Sequence, residues 1–172
     1  MTRKKTSAPL RLCAGLSPRE EASTSFHFRM AKHFFVGLQK KIMDIPALVP
    51  GIRGSETITV TPADTAARYG SGLIEVFATP AMVALMEQTA QRSVQALLPE
   101  GAITLGTEIN VTHVKATPVG MKVTCTTVLT GTEGRRLTFS VQARDELGLI
   151  GEGTHRRFIV DALRFMKKLA QP

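Results

Sequence analysis

The sequence predicts an α+β domain in which one long central helix is wrapped by a curled antiparallel β-sheet. Residues 81–98 contain no Gly or Pro and are rich in Ala, Leu, Met, Glu and Gln, which favours a helix. The residues that follow alternate between apolar and polar side chains in long runs joined by Gly-containing turns, which indicates antiparallel strands. Because apolar residues surround much of the helix, it needs cover on several sides. A sheet curled around the helix, the hotdog arrangement, provides that cover.

One strand or two are predicted before the long helix. Residues 55–61 alternate and are rich in Thr, Ile and Val, and residues 73–77 form a second, shorter strand. Pro62 opens a helical turn between them. Thr79 is suited to cap the long helix, and Pro80 is suited to its first turn.

Four long strands and a short helix are predicted after the long helix, which Pro99-Glu-Gly101 ends. The strands cover residues 103–116, 121–129, 135–144 and 149–160, and the short helix covers residues 162–169. A four-stranded sheet with the helix on one face is the alternative architecture. We disfavour it because one helix covers too little of strands this long.

Residues 1–50 are predicted to be a basic extension and linker, and residues 51–172 the hotdog domain. Residues 1–42 hold nine Lys or Arg and two Glu, whereas the remaining 130 residues hold 13 basic and 12 acidic side chains. The formal charge of +8 therefore does not indicate a nucleic-acid partner for the domain. We expect residues 1–25 to be disordered. Residues 26–43 form either a basic amphipathic helix at a membrane surface or, as we expect, a poorly ordered extension.

Cysteine usage and hydropathy favour a cytoplasmic protein with no metal and no cofactor. Cys13 and Cys125 are too few and too far apart to define a disulfide framework or a metal site. No apolar run approaches the roughly 18 residues that a membrane span needs. The N-terminus also lacks the pattern of a signal peptide. We expect no stable membrane insertion.

Three residues near the long helix are candidates for chemistry. Glu87 lies mid-helix among apolar residues, where an unpaired carboxylate is costly, although a place on a narrow polar stripe with Gln91 is the alternative. His113 is either a core histidine or a partner of Glu87, because it ends an apolar stripe facing the helix and formed by Ile103, Leu105, Thr107, Ile109 and Val111. Thr79 would serve simply as a cap, but the helix start also offers N–H groups to a developing oxyanion, and the two roles are compatible.

Several separated motifs resemble the fluoroacetyl-CoA thioesterase-like family. They span about residues 58–169 and comprise Glu75–Glu87, Leu105-Gly-Thr, Val111-Thr-His113, Ala116-Thr-Pro, Glu133-Gly-Arg-Arg and Gly153-Thr-His155. The resemblance implies a hotdog homodimer that hydrolyses acyl-CoA thioesters. It also implies that Thr79, Glu87 and His113 are catalytic, that Gly106 lines the site, and that Arg157 lies near the CoA end of the substrate.

The segment before Thr79 departs from the fluoroacetyl-specific pattern, which has aromatic residues there that close over the acyl group. This chain has Tyr69-Gly-Ser-Gly-Leu73, and Pro80 replaces a glycine. We expect Leu73 to contact the substrate, and the substrate to be a general, short-chain acyl-CoA. The alternatives are a hotdog hydratase or dehydratase and a non-catalytic acyl-CoA-binding protein. His155 has no companion at metal-ligand spacing and is expected to be a structural or surface residue.

Thr79 and Glu87 are eight residues apart on the predicted helix. That spacing corresponds to roughly 12 Å along its axis. Both cannot contact one thioester carbonyl, since hydrogen-bond reach is about 3 Å. We therefore expect an active site shared by two subunits, with strand 103–116 as a plausible pairing edge.

Overall fold

The computed structural model of the chain describes residue 45 and residues 47–171. The expectations for residues 1–44, disorder at first and then either an amphipathic helix or a poorly ordered extension, lie outside this described part. None of the helices that the structure describes has the length and hydrophobicity needed to span a bilayer.

Five strands form one antiparallel sheet. They are β1 (Arg53–Thr59), β2 (Ala102–His113), β3 (Lys122–Glu133), β4 (Arg136–Asp145) and β5 (Gly148–Asp161). Their order across the sheet is β1-β3-β4-β5-β2, so that β1 and β2 form its edges. The turns after β3 and β4 contain glycines with positive φ, Gly134 and Gly148, as tight hairpins require. The four long strands predicted after the helix are all present.

In the described part of the chain, three helices accompany the sheet. They are α1 (Ala66–Tyr69), α2 (Thr79–Gln95) and α3 (Ala162–Leu169), and a 3₁₀ turn covers Pro62–Asp64. The long helix α2 contacts β1, β2, β3 and β4. It buries apolar side chains spaced three and four residues apart, including Met82, Leu85, Met86, Ala90 and Val94. A long helix packed against an antiparallel sheet of this kind is the predicted α+β hotdog arrangement.

The start of α2 differs by one residue from the prediction. Ala78 is the N-cap residue, with extended backbone at φ −76° and ψ 143°, and no side chain caps the helix. The N–H of Ala78 donates to the Asp64 carbonyl at 2.9 Å, so a contact from a separate segment fixes this position. The prediction that Thr79 caps α2 is therefore wrong. Thr79 is the first helical residue, and the helix does not use its hydroxyl.

A β-bulge in β2 changes which side chains of that strand face the helix. The pairing with β5 shifts between Gly106 and Glu108, which leaves Thr107 as the extra residue. Thr104 and Gly106 therefore lie on the same face as His113, one residue out of step with the predicted alternation. The prediction that residues 103, 105 and 107 share that face is wrong, because a period of two does not allow for an inserted residue.

Residues 73–77 do not form the predicted strand. Val76 and Phe77 make only isolated bridges, to Pro118 and Thr65 respectively. The β-branched residues of this segment favour a strand, but no neighbouring strand pairs with it. The segment instead follows the short helix α1, which was not predicted, and leads directly into α2.

Part of the predicted linker packs against the domain. Leu48 is only 7% exposed. Gly51 donates its N–H to the Leu129 carbonyl at 2.8 Å, and Leu129 donates its N–H to the Ile52 carbonyl at 2.8 Å. The folded unit therefore includes residues just before Gly51.

Cys125 lies in the core on β3 and is free. Burial raises the pKa of its thiol to about 11, although a hydrogen bond with Thr89 opposes that effect. The thiol is therefore protonated at neutral pH.

Candidate active site

Thr79 and His113 form a hydrogen-bonded pair at the start of α2. The Oγ1 of Thr79 lies 2.9 Å from the Nδ1 of His113, which joins the first residue of the helix to the last residue of β2. A backbone bond holds the two segments together close to this pair, since Phe77 donates its N–H to the Thr117 carbonyl at 2.8 Å. The hydroxyl is available for this contact because Thr79 does not cap the helix.

The surroundings of His113 favour a neutral imidazole. Burial lowers its pKa, and a contact with the Lys115 backbone offsets this only in part. Nε2 is buried and has no hydrogen-bond partner among the described residues. The ring of Phe77 packs edge-on, with the two ring centroids 6.4 Å apart. In the tautomer with its proton on Nε2, His113 can accept the Thr79 hydroxyl proton at Nδ1.

An open cleft of about 510 Å³ adjoins the pair. Its apolar lining comes from the segments before α2 and after β2, namely Ala66, Ile74, Val76, Phe77, Val114 and Ala116. Thr79 lies at the cleft, at the positive end of the helix dipole. Because Pro80 has no N–H, Thr79 and Ala81 supply the backbone donors at this end. The cleft can hold an apolar group beside a hydroxyl, an imidazole and backbone N–H groups.

Glu87 lies two turns further along α2, in a second cluster. Its Oε1 is 3.7 Å from His155 Nε2 and 4.0 Å from Arg157 Nη1, and its side chain is 42% exposed. Gly106 of β2 faces the carboxylate so closely that a Cβ there would overlap Oε1. Glu87 thus faces the β2–β5 side of the helix. Gln91, one turn further on, is half-buried like Glu87, as a shared polar stripe would require, and its side chain donates to Gln95.

The guanidinium of Arg157 lies in the interior beside Glu87. Arg157 is 6% exposed. Its Nε donates to Thr104 Oγ1 at 2.8 Å, its Nη2 to the Thr104 carbonyl at 2.9 Å, and its Nη1 to the Glu87 carbonyl at 3.3 Å. Burial lowers the pKa of Arg157 and the charge of Glu87 opposes this, so the group stays charged at neutral pH. The structure therefore places it behind the carboxylate and not on an exposed face.

His155 is the residue of this cluster that the sequence reasoning did not single out. It lies on β5 as expected, but it is 1% exposed and next to Glu87. Its Nδ1 is 2.8 Å from the Glu108 carbonyl, so Nδ1 carries a proton, and Nε2 accepts from Arg157 Nη1 at 3.0 Å. Burial lowers its pKa most. The two-residue spacing of His155 and Arg157 on one strand was the available signal, because it places both on one face.

The remaining predicted residue, Leu73, lies on the loop between α1 and α2. It is 98% exposed, while its neighbours Gly72 and Ile74 line the cleft. Leu73 itself makes no contact with Thr79 or His113 in the described chain.

The candidate residues thus form two clusters within one chain. His113 pairs with Thr79, whereas the histidine beside Glu87 is His155. The expected convergence of His113 on Glu87 does not occur within a single chain. In the part of the chain that the structure describes, no group of three His, Cys, Asp or Glu side chains is arranged to hold a metal ion.

Comparison with known proteins identifies relatives for the greater part of this domain. The family described as "Fluoroacetyl-CoA-specific thioesterase" matches residues 60–163. A fluoroacetyl-CoA thioesterase of Streptantibioticus cattleyicolor is 46% identical over 97 residues, which cover 56% of this chain and 70% of that protein.

Solved structures agree with the sequence matches. A structure of a fluoroacetyl-CoA thioesterase superposes with a TM-score of 0.69 at 39% identity, covering 73% of this chain and 97% of the other. A thioesterase superfamily member from Thermus thermophilus superposes with a TM-score of 0.67 at 28% identity, covering 72% and 91%. A hot-dog-like protein from Thermanaerovibrio acidaminovorans superposes with a TM-score of 0.66 at 26% identity, covering 71% of this chain and 90% of the other.

Proposed function

The chain belongs to the fluoroacetyl-CoA-specific thioesterase family, and from this membership we propose that it hydrolyses an acyl-CoA thioester to a free acid and CoA. The observation that carries the proposal is the 2.9 Å contact between Thr79 and a largely neutral His113 at the mouth of an apolar cleft. The Thr79 hydroxyl and the His113 imidazole therefore lie beside the positive end of α2, where a thioester carbonyl can bind.

The proposed chemistry assigns each group a task. Backbone N–H groups at the start of α2 stabilise the negative charge that develops on the carbonyl oxygen. An oxygen nucleophile attacks the carbonyl carbon, the C–S bond breaks, and the thiolate of CoA takes up a proton. The nucleophile is either Thr79 Oγ1, with His113 accepting its proton, or water activated by Glu87. In the first route water then hydrolyses the acyl-threonine ester, which releases the free acid and returns the proton to Thr79 Oγ1. Mass spectrometry of the protein quenched during turnover separates the two routes, because only the first leaves an acyl group on Thr79.

We infer that the working site combines Thr79 and His113 of one subunit with Glu87 of another. The support is the eight-residue separation of Thr79 and Glu87 on α2, roughly 12 Å along the axis. A two-fold axis that sets two such helices antiparallel brings the two clusters together and creates two equivalent sites. The strand β2, at one edge of the sheet, is the element we propose to pair across that axis.

Complementation tests the shared site. Inactive Thr79→Ala and Glu87→Gln proteins are mixed under conditions that exchange subunits, and exchange is checked by native mass spectrometry. A random mixture is half heterodimer with one intact site each, so roughly a quarter of wild-type activity should return. Confirmed exchange without activity would contradict the shared site.

For the substrate, we propose a short-chain acyl-CoA. The departures at Leu73 and Pro80 from the fluoroacetyl-specific pattern support a broader acyl group than fluoroacetyl. The test is release of free thiol from a panel of acyl-CoAs of increasing chain length, with fluoroacetyl-CoA included. Glu87→Gln should lower turnover by on the order of 10²-fold or more, the scale of losing a general base, whereas Glu133→Gln on the surface should not.

The same panel distinguishes the alternatives. A hotdog hydratase would consume an enoyl-CoA without releasing thiol, and an acyl-CoA-binding protein would bind the panel without turnover. We also propose a cytoplasmic location, supported by the free thiol of Cys125, which is typical of a reducing compartment. Cell fractionation tests the location.

A further inference from the structure

Asp145, at the end of β4, is a buried carboxylate that the proposed chemistry does not use. Its side chain is inaccessible to solvent. It accepts two bonds from Lys115 Nζ, at 2.8 and 3.0 Å, one from Thr117 Oγ1 at 3.0 Å, and one from the Leu147 N–H at 2.8 Å. These hydrogen bonds to the Asp145 carboxylate therefore come from the turn after β4 and from the segment that follows β2.

The partners of Asp145 lead to both halves of the Thr79–His113 pair. Lys115 follows His113 by two residues. Thr117 accepts the N–H of Phe77 at its carbonyl, at 2.8 Å, and Phe77 precedes Thr79 by two residues. Through Lys115 and Thr117, the carboxylate thus connects the end of β2 with the start of α2. His113 and Thr79 extend from these two places.

The charge of Asp145 makes this attachment strong. Burial alone would raise the pKa of the carboxyl, but the hydrogen bonds of Lys115, Leu147 and Thr117 outweigh it and hold the pKa below its ordinary value. At neutral pH the group is ionised, and hydrogen bonds to an ionised acceptor are shorter and stronger than neutral ones. Its removal leaves the buried hydroxyl of Thr117 and the partly exposed ammonium of Lys115 without their partner.

We propose that Asp145 is a positioning residue that sets the Thr79–His113 hydrogen bond by holding residues 115–117 in place. It does not touch the substrate. The proposal rests on the proposed function for its kinetic consequence, but its geometric consequence is independent of any activity.

The kinetic test is Asp145→Asn, which keeps the size of the side chain and removes its charge. We expect kcat to fall about 10-fold to 10²-fold with little change in KM, the scale for a reacting group displaced by about 1 Å. Asp161→Asn, a chemically identical change at the start of α3, is the control.

The geometric test is the ¹⁵N chemical shift of His113 Nδ1, which reports its hydrogen bond with Thr79. Asp145→Asn should move this shift towards that of Thr79→Ala, whereas Asp161→Asn should not. If Asp145→Asn fails to fold, Thr117→Val removes one bond to the carboxylate and should move the shift in the same direction. An unmoved His113 shift in the folded variant overturns the proposal even if the protein is a thioesterase. A moved shift in a protein without thioesterase activity supports the positioning role and refutes the proposed function alone.

Discussion

Gly106 leaves space for the Glu87 carboxylate because it has no side chain. A Cβ at this position would overlap Glu87 Oε1 and would lie 3.2 Å from His155 Cε1. Gly106→Ala should therefore displace the carboxylate and lower kcat by on the order of 10²-fold, the cost of a displacement of about 1 Å. Steady-state kinetics and thermal unfolding measure the two effects separately.

Gly131→Ala is the matched control for this substitution. Gly131 also lies at a bulge in a strand, and an added Cβ would meet Thr138 Cβ at an ordinary 3.9 Å. This variant should keep wild-type kinetics. Equal losses of activity in the two variants would mean that strand flexibility, and not the space beside Glu87, explains the effect.

The buried His155 should make the free energy of unfolding depend on pH. Burial holds its pKa in the folded protein below the ordinary 6.5. Below that pH the unfolded chain binds a proton that the folded chain does not, so the stability contributed by neutral His155 is present above about pH 6.5 and is lost as the pH falls towards the folded pKa. The slope for one such histidine is at most about 1.4 kcal/mol per pH unit.

The measurement is thermal unfolding at a series of pH values in wild type and His155→Gln. The variant should lose less stability than wild type between about pH 7 and 5, because glutamine does not titrate. His113 contributes in the same direction in both proteins and therefore cancels in the comparison. Parallel curves for the two proteins would show that His155 does not bind its proton differently in the folded chain.

The bulge of β2 is the element on which the two clusters depend. It lets Thr104 and Gly106 face the helix before Thr107, and His113 face it afterwards. Deletion of Thr107 should turn one of these two sets away from the helix. Loss of Thr104 from the interior would leave the Arg157 guanidinium with unmade bonds, so the deletion should cost more than about 2 kcal/mol.

Chemical denaturation measures this loss, and Thr107→Ala provides the control. The alanine variant keeps the chain length and removes one exposed bond, from Thr107 Oγ1 to the Arg156 carbonyl. Its stability should change by less than about 1 kcal/mol. A deletion as mild as the substitution would mean that the register of β2 tolerates slippage.

The elements show what the sequence could and could not predict. Composition and alternation located α2, α3 and the long strands within a few residues, because these signals are local. The bulge and the start of α2 were missed because each depends on a distant partner, β5 in one case and Asp64 in the other. Thr79, Glu87 and His113 were singled out as candidates from their positions and then by motif. His155 stands in one of the motifs but was expected to be structural or on the surface, and Asp145 was not considered, since only the register of β2, β4 and β5 shows what they touch.

For the molecule as a whole, residues 1–42 carry most of the net charge, and the composition changes at Pro46, Pro50 and Gly51, where the near-neutral domain begins. A chain that begins at Met43 should therefore keep the melting temperature and thioesterase rate of the full chain. A chain that begins at Gly51 should be less stable, because it lacks the buried Leu48. Full burial of such a side chain contributes about 1.5–3 kcal/mol.

Calorimetry of the full chain and the two shortened chains measures the two effects in turn. The full chain and the chain that begins at Met43 differ by the basic extension. The two shortened chains both lack that extension, so their difference reports the packing of residues 43–50. A loss of folding in the chain that begins at Met43 would refute the idea that the extension is dispensable.

Because Cys125 is buried, the rate at which a reagent alkylates its thiol measures how often the folded protein opens. With a thiol pKa of about 11 in the folded state, roughly one folded molecule in 10³ carries the thiolate at pH 8, and that thiolate is out of reach of solvent. Because the side chain is inaccessible on a central part of β3, alkylation requires the sheet to separate from α2. In a Cys13→Ser background, the rate at which iodoacetamide modifies the chain therefore follows the population of opened molecules, and its dependence on urea measures how much surface that opening exposes.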